Sequence, residues 1–186
     1  MAFSDEQAMI LDSAQAFCRD KSDGNAVRSL LKSETGFNQD VWDEMVALGW
    51  TGLSIPEQFG GFAMGIGATV PLVESMGRHM LCTPYISATI AAQAIVRGGS
   101  ESQQTKWLPA MVQGTIGTLA LLDNEDWGAT STSCVLTGKD DQLELKGKKL
   151  LVHDASVSDF FLVLAQHDGA EVLVIVESSQ LASNAI

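Results

Sequence analysis

The sequence predicts an α+β protein of two domains, an all-helical N-terminal domain over residues 1–114 followed by an antiparallel β domain over 115–186. Three observations carry this expectation. Up to about residue 114, apolar residues recur at helical spacing between helix start and stop signals. From Ile116 onward they alternate, or form short continuous runs separated by turn residues. The sequence also ends just after a strongly apolar run, VLVIV, whose strand edges call for a partner surface. The β domain therefore reads as truncated, or as completed by another chain.

The helices follow in order. Ser4 with Gln7 forms a capping box, and Ile10, Leu11, Ala14, Phe17 and Cys18 line one face of the first helix. A short second helix is expected over Ala26–Lys32. Asn38 caps a third, whose stripe of Val41, Trp42, Met45 and Leu48 stops at Gly49. A fourth is expected over 66–80, with Val70, Val73, Glu74 and Gly77, where Pro71 must fall in the first turn or mark the true start. Thr83 caps a fifth with Pro84 at its first position, and Ile86, Ile90 and Ala94 run along it to Gly98-Gly99. Ser100 with Gln103 opens a sixth, which Trp107-Leu108-Pro109 bends or ends.

Candidate strands are Ile116–Leu122, Ser133–Thr137, Gln142–Leu145, Lys149–His153, Phe160–Ala165 and Val172–Val176. The turn signals between them are Gly138–Asp141, Lys146-Gly147 and Gln166–Gly169. The last two strands suit an antiparallel hairpin.

Composition narrows the class of function. Hydrophobic residues make up 46% and charged residues 18%, an ordinary globular balance. The formal net charge is −12, with seven of the 11 basic and 12 of the 23 acidic residues in 1–114, so the acidity is spread along the chain. That argues against nucleic-acid and anionic membrane partners. The acidic start MAFSDEQAMILD does not resemble a secretion signal, and no apolar run approaches a membrane span. The expected location is cytoplasmic. Cys18, Cys82 and Cys134 are far apart and odd in number, which fits neither a disulfide framework nor a zinc site. Cys18, on an apolar face, reads as an inert core thiol.

The residues alone do not specify a reaction. The glycines of GWTGLSIPEQFGGFAMG (49–65) lack the Gly-Lys-Ser/Thr of a phosphate loop, and they follow a helix where a dinucleotide fingerprint must follow a strand. They read as a structural corner anchored by Trp50 and Phe59. His79, His153 and His167 are too scattered for metal ligation, and His167 reads as a solvated turn residue. Glu57 and Glu74 have no identifiable catalytic partner.

Three stretches carry a resemblance. Gly49–Gly61 reads G-W-x-G-L-x-x-P-E-x-F-G-G, Gly99–Gly114 reads G-S-E-S-Q-x-x-x-W-L-P-A-M-x-x-G, and Gly147–Ala155 follows in the β region. In this order they resemble the acyl-CoA dehydrogenase family, along essentially the whole sequence. The resemblance implies a helical N-terminal domain, a β-barrel-like middle domain, FAD as cofactor, an acyl-CoA thioester as substrate and an oligomer in the complete protein. It implies α,β-dehydrogenation, in which a base removes an α proton and the β hydrogen leaves as hydride to the flavin. The protein's task in such chemistry is orientation and electrostatics.

The same resemblance marks departures. The family's catalytic glutamate lies in a C-terminal helical domain without counterpart here, so no catalytic residue is assigned and the base is expected outside this chain. The family's first flavin segment, A-L-T-E-P-x-A-G-S-D, stands here as Ala120–Ala129, with Leu122 in place of the hydroxyl donor. The W-I-T/S-N segment stands as Leu151–Asp154, with Leu151 replacing the aromatic and His153 the hydroxyl. The candidate cofactor-binding residues are Leu119, Leu121, Leu122, Leu151 and His153. Two other readings stay open: a non-catalytic family member serving as scaffold or partner subunit, and an acyl-CoA-binding module without redox chemistry.

Overall fold

The computed structural model describes residues 4–126, 132–138 and 142–182. Trp127–Ala129 of the candidate flavin segment, most of the turn signal at 138–141 and the terminal Ser183–Ile186 lie outside the described residues. The chain forms two compact units, Met1–Thr115 and Ile116–Ile186.

The first unit is helical. Helix α1 (Asp5–Lys21) starts from the Ser4 capping box, in which Gln7 N–H donates to Ser4 Oγ at 3.2 Å and Ser4 N–H to Gln7 Oε1 at 3.0 Å. Its Ala14 and Cys18 are fully buried, and Phe17 packs edge-on against Trp50 with ring centroids 5.0 Å apart. Helix α2 (Gly24–Leu30) begins two residues before the expected Ala26, because the Asp23 carboxylate caps the amides of Asn25 and Ala26. In α3 (Gln39–Ala47), capped by Asn38, the residues Val41, Trp42 and Met45 are buried, and the Trp42 indole donates to the Gly114 carbonyl at 3.1 Å. The corner after it folds back on itself: Phe62, Ala63 and Met64 donate to the carbonyls of Gly52, Ile55 and Leu53, and the Tyr85 hydroxyl donates to that of Trp50.

Several expectations change in the remaining helices. A 3-10 turn over Ile66–Thr69 precedes α4 (Val70–His79), and Pro71 falls in the first turn. The buried face of α4 is Pro71, Leu72, Ser75 and Met76, whereas Val70 and Gly77 are exposed. In α5 (Tyr85–Gly98) the buried face is Tyr85, Ser87, Ala88, Ala91, Ala92 and Ile95, and Ile86 and Ile90 are nearly half exposed. The small side chains Ala88, Ala91 and Ala92 take the buried face in place of the larger isoleucines. Thr83 does not cap α5: its Oγ1 is buried without a hydrogen-bond partner, and Pro84 stands at the cap. Helix α6 (Glu101–Val112) runs through Pro109, which does not end it.

The second unit holds β1 (Gly117–Ala120), β2 (Val135–Thr137), β3 (Glu144–Lys146), β4 (Phe160–His167) and β5 (Ala170–Glu177). The sheet is mixed, not antiparallel, and among the described residues it does not close into a barrel. Central β4 pairs antiparallel with β5 over its whole length, from Phe160↔Glu177 to His167↔Ala170. Its other edge is shared, running parallel to β1 at Gly117↔Phe160 through Ala120↔Val163 and parallel to β2 at Val135↔Gln166. Strands β2 and β3 are antiparallel. The physical reason lies in β4 itself: FFLVLA is apolar at every position, the pattern of a strand covered on both faces. On one face Phe161 and Val163 pack with Ala120, Leu145, Val152 and Val176. On the other, Phe160 and Leu162 are also buried.

The expected hairpin forms through Asp168-Gly169, both at positive φ (49° and 82°), the primed turn that this dipeptide favours. His167 is the last residue of β4 and half-buried, its Nδ1 3.0 Å from the Leu136 carbonyl, so it is not a solvated turn residue. Lys149–His153 is not a strand: Leu151 and Asp154 take left-handed backbone (φ 52° and 53°), which breaks the extended run.

Candidate functional site

Strand β1 leaves the sheet at Ala120 and passes beside the irregular 149–154 segment. Thr118, 1% exposed, donates its hydroxyl to the His153 carbonyl at 2.8 Å. Two residues past the strand, the Leu122 carbonyl accepts from the Leu150 amide at 2.7 Å. All five candidate cofactor residues therefore lie on two neighbouring segments. Leu119 sits in β1 opposite Leu162 of β4. Leu121 and Leu151 are 42% and 56% exposed, Leu122 is half-buried, and His153 is exposed.

Beneath these residues lies a polar cluster that the sequence reading missed. The Lys149 side chain is only 6% exposed, and that of Asp123 11%. The ammonium donates to the Leu121 carbonyl at 3.0 Å, to the Thr132 hydroxyl at 2.7 Å and to one Asp123 carboxylate oxygen. The other carboxylate oxygen accepts from the Ser133 amide. The Thr132 oxygen also accepts from the Cys134 amide at 3.2 Å, and its proton has two acceptors at 3.2 Å, Asp123 and the Leu164 carbonyl. Every proton of the ammonium thus has a partner, as a buried cation requires. Burial pushes the Asp123 carboxyl up, but the bonds from Lys149, Ser133 and Thr132 outweigh it and hold the group at about 2. Lys149, at the head of the apolar run Leu150–Val152, was the available signal, obscured by the expected strand at 149–153.

A second clamp closes the segment below. The Ile116 amide donates to an Asp159 carboxylate oxygen at 2.8 Å, while the Asp159 amide donates to the Ile116 carbonyl at 2.8 Å. The Ser158 hydroxyl donates to the Asp154 carbonyl at 2.8 Å. These bonds fix the turn that carries Leu151 and His153.

The surface fits a flat, amphipathic ring in kind. Exposed leucines offer apolar contact, and an exposed imidazole offers a donor. Neither segment presents a side-chain hydroxyl at position 122 or an aromatic at 151; what they offer is aliphatic side chains, backbone groups and His153. The other singled-out groups lie elsewhere. Glu74 pairs with Arg78 at 3.0 Å one helical turn away. Among the described residues, no group of three or more His, Cys, Asp or Glu is placed to hold a metal ion.

A helical unit with the GWxGL…PExFGG corner, followed by a mixed-sheet unit with two juxtaposed loop segments, defines a class of two-domain protein. The family model described as "Acyl-CoA dehydrogenase, N-terminal domain" matches residues 4–115, and the chain belongs to the acyl-CoA dehydrogenase family. It is 29% identical over 150 residues to acyl-CoA dehydrogenase FadE27 of Mycobacterium tuberculosis, covering 80% of this chain and 39% of that protein. It superposes on the Tcur3481–Tcur3483 steroid ACAD (G363A variant) with a TM-score of 0.86 and 27% identity, covering 93% of this chain and 48% of that one. The ChsE4–ChsE5 complex of M. tuberculosis shares the fold, with a TM-score of 0.86 and 24% identity over 95% of this chain and 48% of that one. The chain thus spans less than half the length of these relatives.

Proposed function

We propose that the chain is the helical N-terminal domain and middle β domain of an FAD-dependent acyl-CoA dehydrogenase, acting on an acyl-CoA thioester within an oligomer. The observation that carries this reading is the hydrogen-bonded pairing of Leu119–Leu122 with Leu151–His153, through Leu150 N–H to the Leu122 carbonyl and Thr118 Oγ1 to the His153 carbonyl. Bound FAD would supply the acceptor for the β hydrogen. This chain's own residues would hold the ring. Leu121 and Leu151 would cover it and exclude water, and His153 would donate to its polar edge. The base that takes the α proton is read as coming from outside the chain, because the family pattern that the sequence resembles carries it in a C-terminal helical domain without counterpart here. The test is the visible spectrum of the purified full-length protein: a flavin band that bleaches on adding an acyl-CoA supports the reading. A colourless protein that takes up no added FAD overturns it.

The side chains at 122 and 151 favour a second reading. An aliphatic group in place of a hydroxyl and an aromatic fits a partner subunit that keeps the fold while another chain binds the flavin. The similar Tcur3481–Tcur3483 steroid ACAD and the ChsE4–ChsE5 complex are each named for two components. A colourless chain that restores flavin and activity when mixed with a second family member would select this alternative.

A further inference from the structure

We infer that Lys149 is a positioning residue for the cofactor-facing segment, its buried ammonium holding Leu121–Asp123 in the path that a bound ring requires. The inference rests on the reading of Leu119–Leu122 and Leu151–His153 as flavin-facing, and it concerns groups that touch neither ring nor substrate.

The geometry carries it. Lys149 reaches back from the second segment and takes three acceptors that belong to the first segment and to the residues leading into β2: the Leu121 carbonyl, the Asp123 carboxylate and the Thr132 hydroxyl. Asp123 in turn accepts the Ser133 amide. One cation thereby fixes both ends of the connection from β1 to β2, at a point where no sheet hydrogen bonds hold the chain. Leu121 and Leu122 lie directly between Ala120, anchored in β1, and Asp123, anchored by the ammonium. The Leu121 carbonyl is held by Lys149 Nζ and that of Leu122 by the Leu150 amide, while the Leu121 side chain is 42% exposed and that of Leu122 half-buried. A buried lysine is costly unless every donor is matched, so retaining one here points to a geometric task. A neutral apolar residue would fill the same space without fixing the Leu121 carbonyl.

Lys149→Met in the full-length protein keeps the stem and removes the ammonium. Amide exchange at Ser133 and Leu150 is expected to rise tenfold or more, while Phe161–Ala165 of β4 stay within twofold of wild type. FAD affinity, read by flavin fluorescence quenching, is expected to fall at least tenfold. Unchanged exchange at Ser133 and Leu150 overturns the inference, as does raised exchange with FAD affinity within twofold of wild type. If Lys149→Met fails to fold, Thr132→Val decides. That variant removes one acceptor, leaves the ion pair, and is expected to shift Ser133 exchange and FAD affinity about threefold in the same directions; no shift in either overturns the inference. A wild-type protein that takes up no FAD overturns the flavin reading and the cofactor half of this inference, while the exchange measurements still decide whether Lys149 holds the segment.

Discussion

Asp123→Asn would keep the shape of the side chain yet leave the Lys149 ammonium buried without a counter-charge. Breaking one partner of a buried pair costs about 3–5 kcal/mol, far more than the pair contributes as a whole. The expected outcome is a loss of that order in a denaturant melt, with Lys149 6% exposed and unable to reach water without moving its loop. The wild-type pair also sets a pH dependence. The folded carboxyl is depressed to about 2 from an ordinary value near 3.8, so its contribution is fully present above about pH 4 and is lost as pH falls from 4 through 2. Wild-type stability should fall across that window more steeply than that of the Asn variant, which has no carboxyl to protonate. The cysteines give a third residue-scale expectation. Burial raises the Cys18 thiol to about 11, and Cys134 is also buried, whereas Cys82 is exposed. A thiol reagent at pH 8 should modify one cysteine quickly and the other two only on unfolding; rapid reaction of two or three would contradict the packing described.

At the scale of elements, two glycine substitutions should have opposite signs. Gly77 lies inside α4, exposed, and a Cβ built there meets nothing within 4 Å. Gly77→Ala should stabilise by about 0.5–1 kcal/mol through helix propensity. Gly61 faces the Ile55 backbone so closely that a Cβ would collide with its carbonyl, 2.6 Å from the carbon. Gly61→Ala should therefore cost more than about 2 kcal/mol, since the backbone rather than a flexible side chain must move. Both are read as shifts in melting temperature. The helices also show which part of the sequence was legible. The capping boxes at Ser4 and Ser100 and the Asn38 cap formed as expected, because a cap is a local interaction between residues two or three apart. The buried face of α5 was misassigned, because Ile86 and Ile90 outweigh alanines on any hydrophobicity scale, yet the alanines take the buried face. Of the bend or stop expected at Pro109, the stop does not occur, since α6 continues for three residues beyond it to Val112.

For the whole molecule, the division into a helical and a β region was visible in the change of apolar period near Ile116, but the sheet's direction was not. FFLVLA and VLVIV reveal a hairpin through the Asp168-Gly169 turn, and the continuous apolarity of FFLVLA, though not that of VLVIV, goes with burial on both faces. Parallel pairing of β1 and β2 with β4 joins segments more than 30 residues apart, which no local signal encodes. The leucines and His153 were singled out by resemblance and lie on two hydrogen-bonded segments, whereas the buried cation beside them emerges only from tertiary contacts. This two-sided sheet yields a final prediction. The helical unit, Met1–Thr115, has its own core around Trp42, Met45, Ile55, Leu72 and Ile95. Expressed alone, it should remain monomeric and melt cooperatively with a helical circular-dichroism signal. The β unit alone should instead associate, because β5 is an eight-residue edge strand among the described residues and Leu173 on it is already 44% exposed. Long apolar edges template intermolecular pairing. Replacing Leu173 by Lys puts a charge on the face it shares with Leu164 and should shift the isolated β unit toward monomer in sedimentation; if association is unchanged, it proceeds through another surface, and β5 is not the edge that needs a partner.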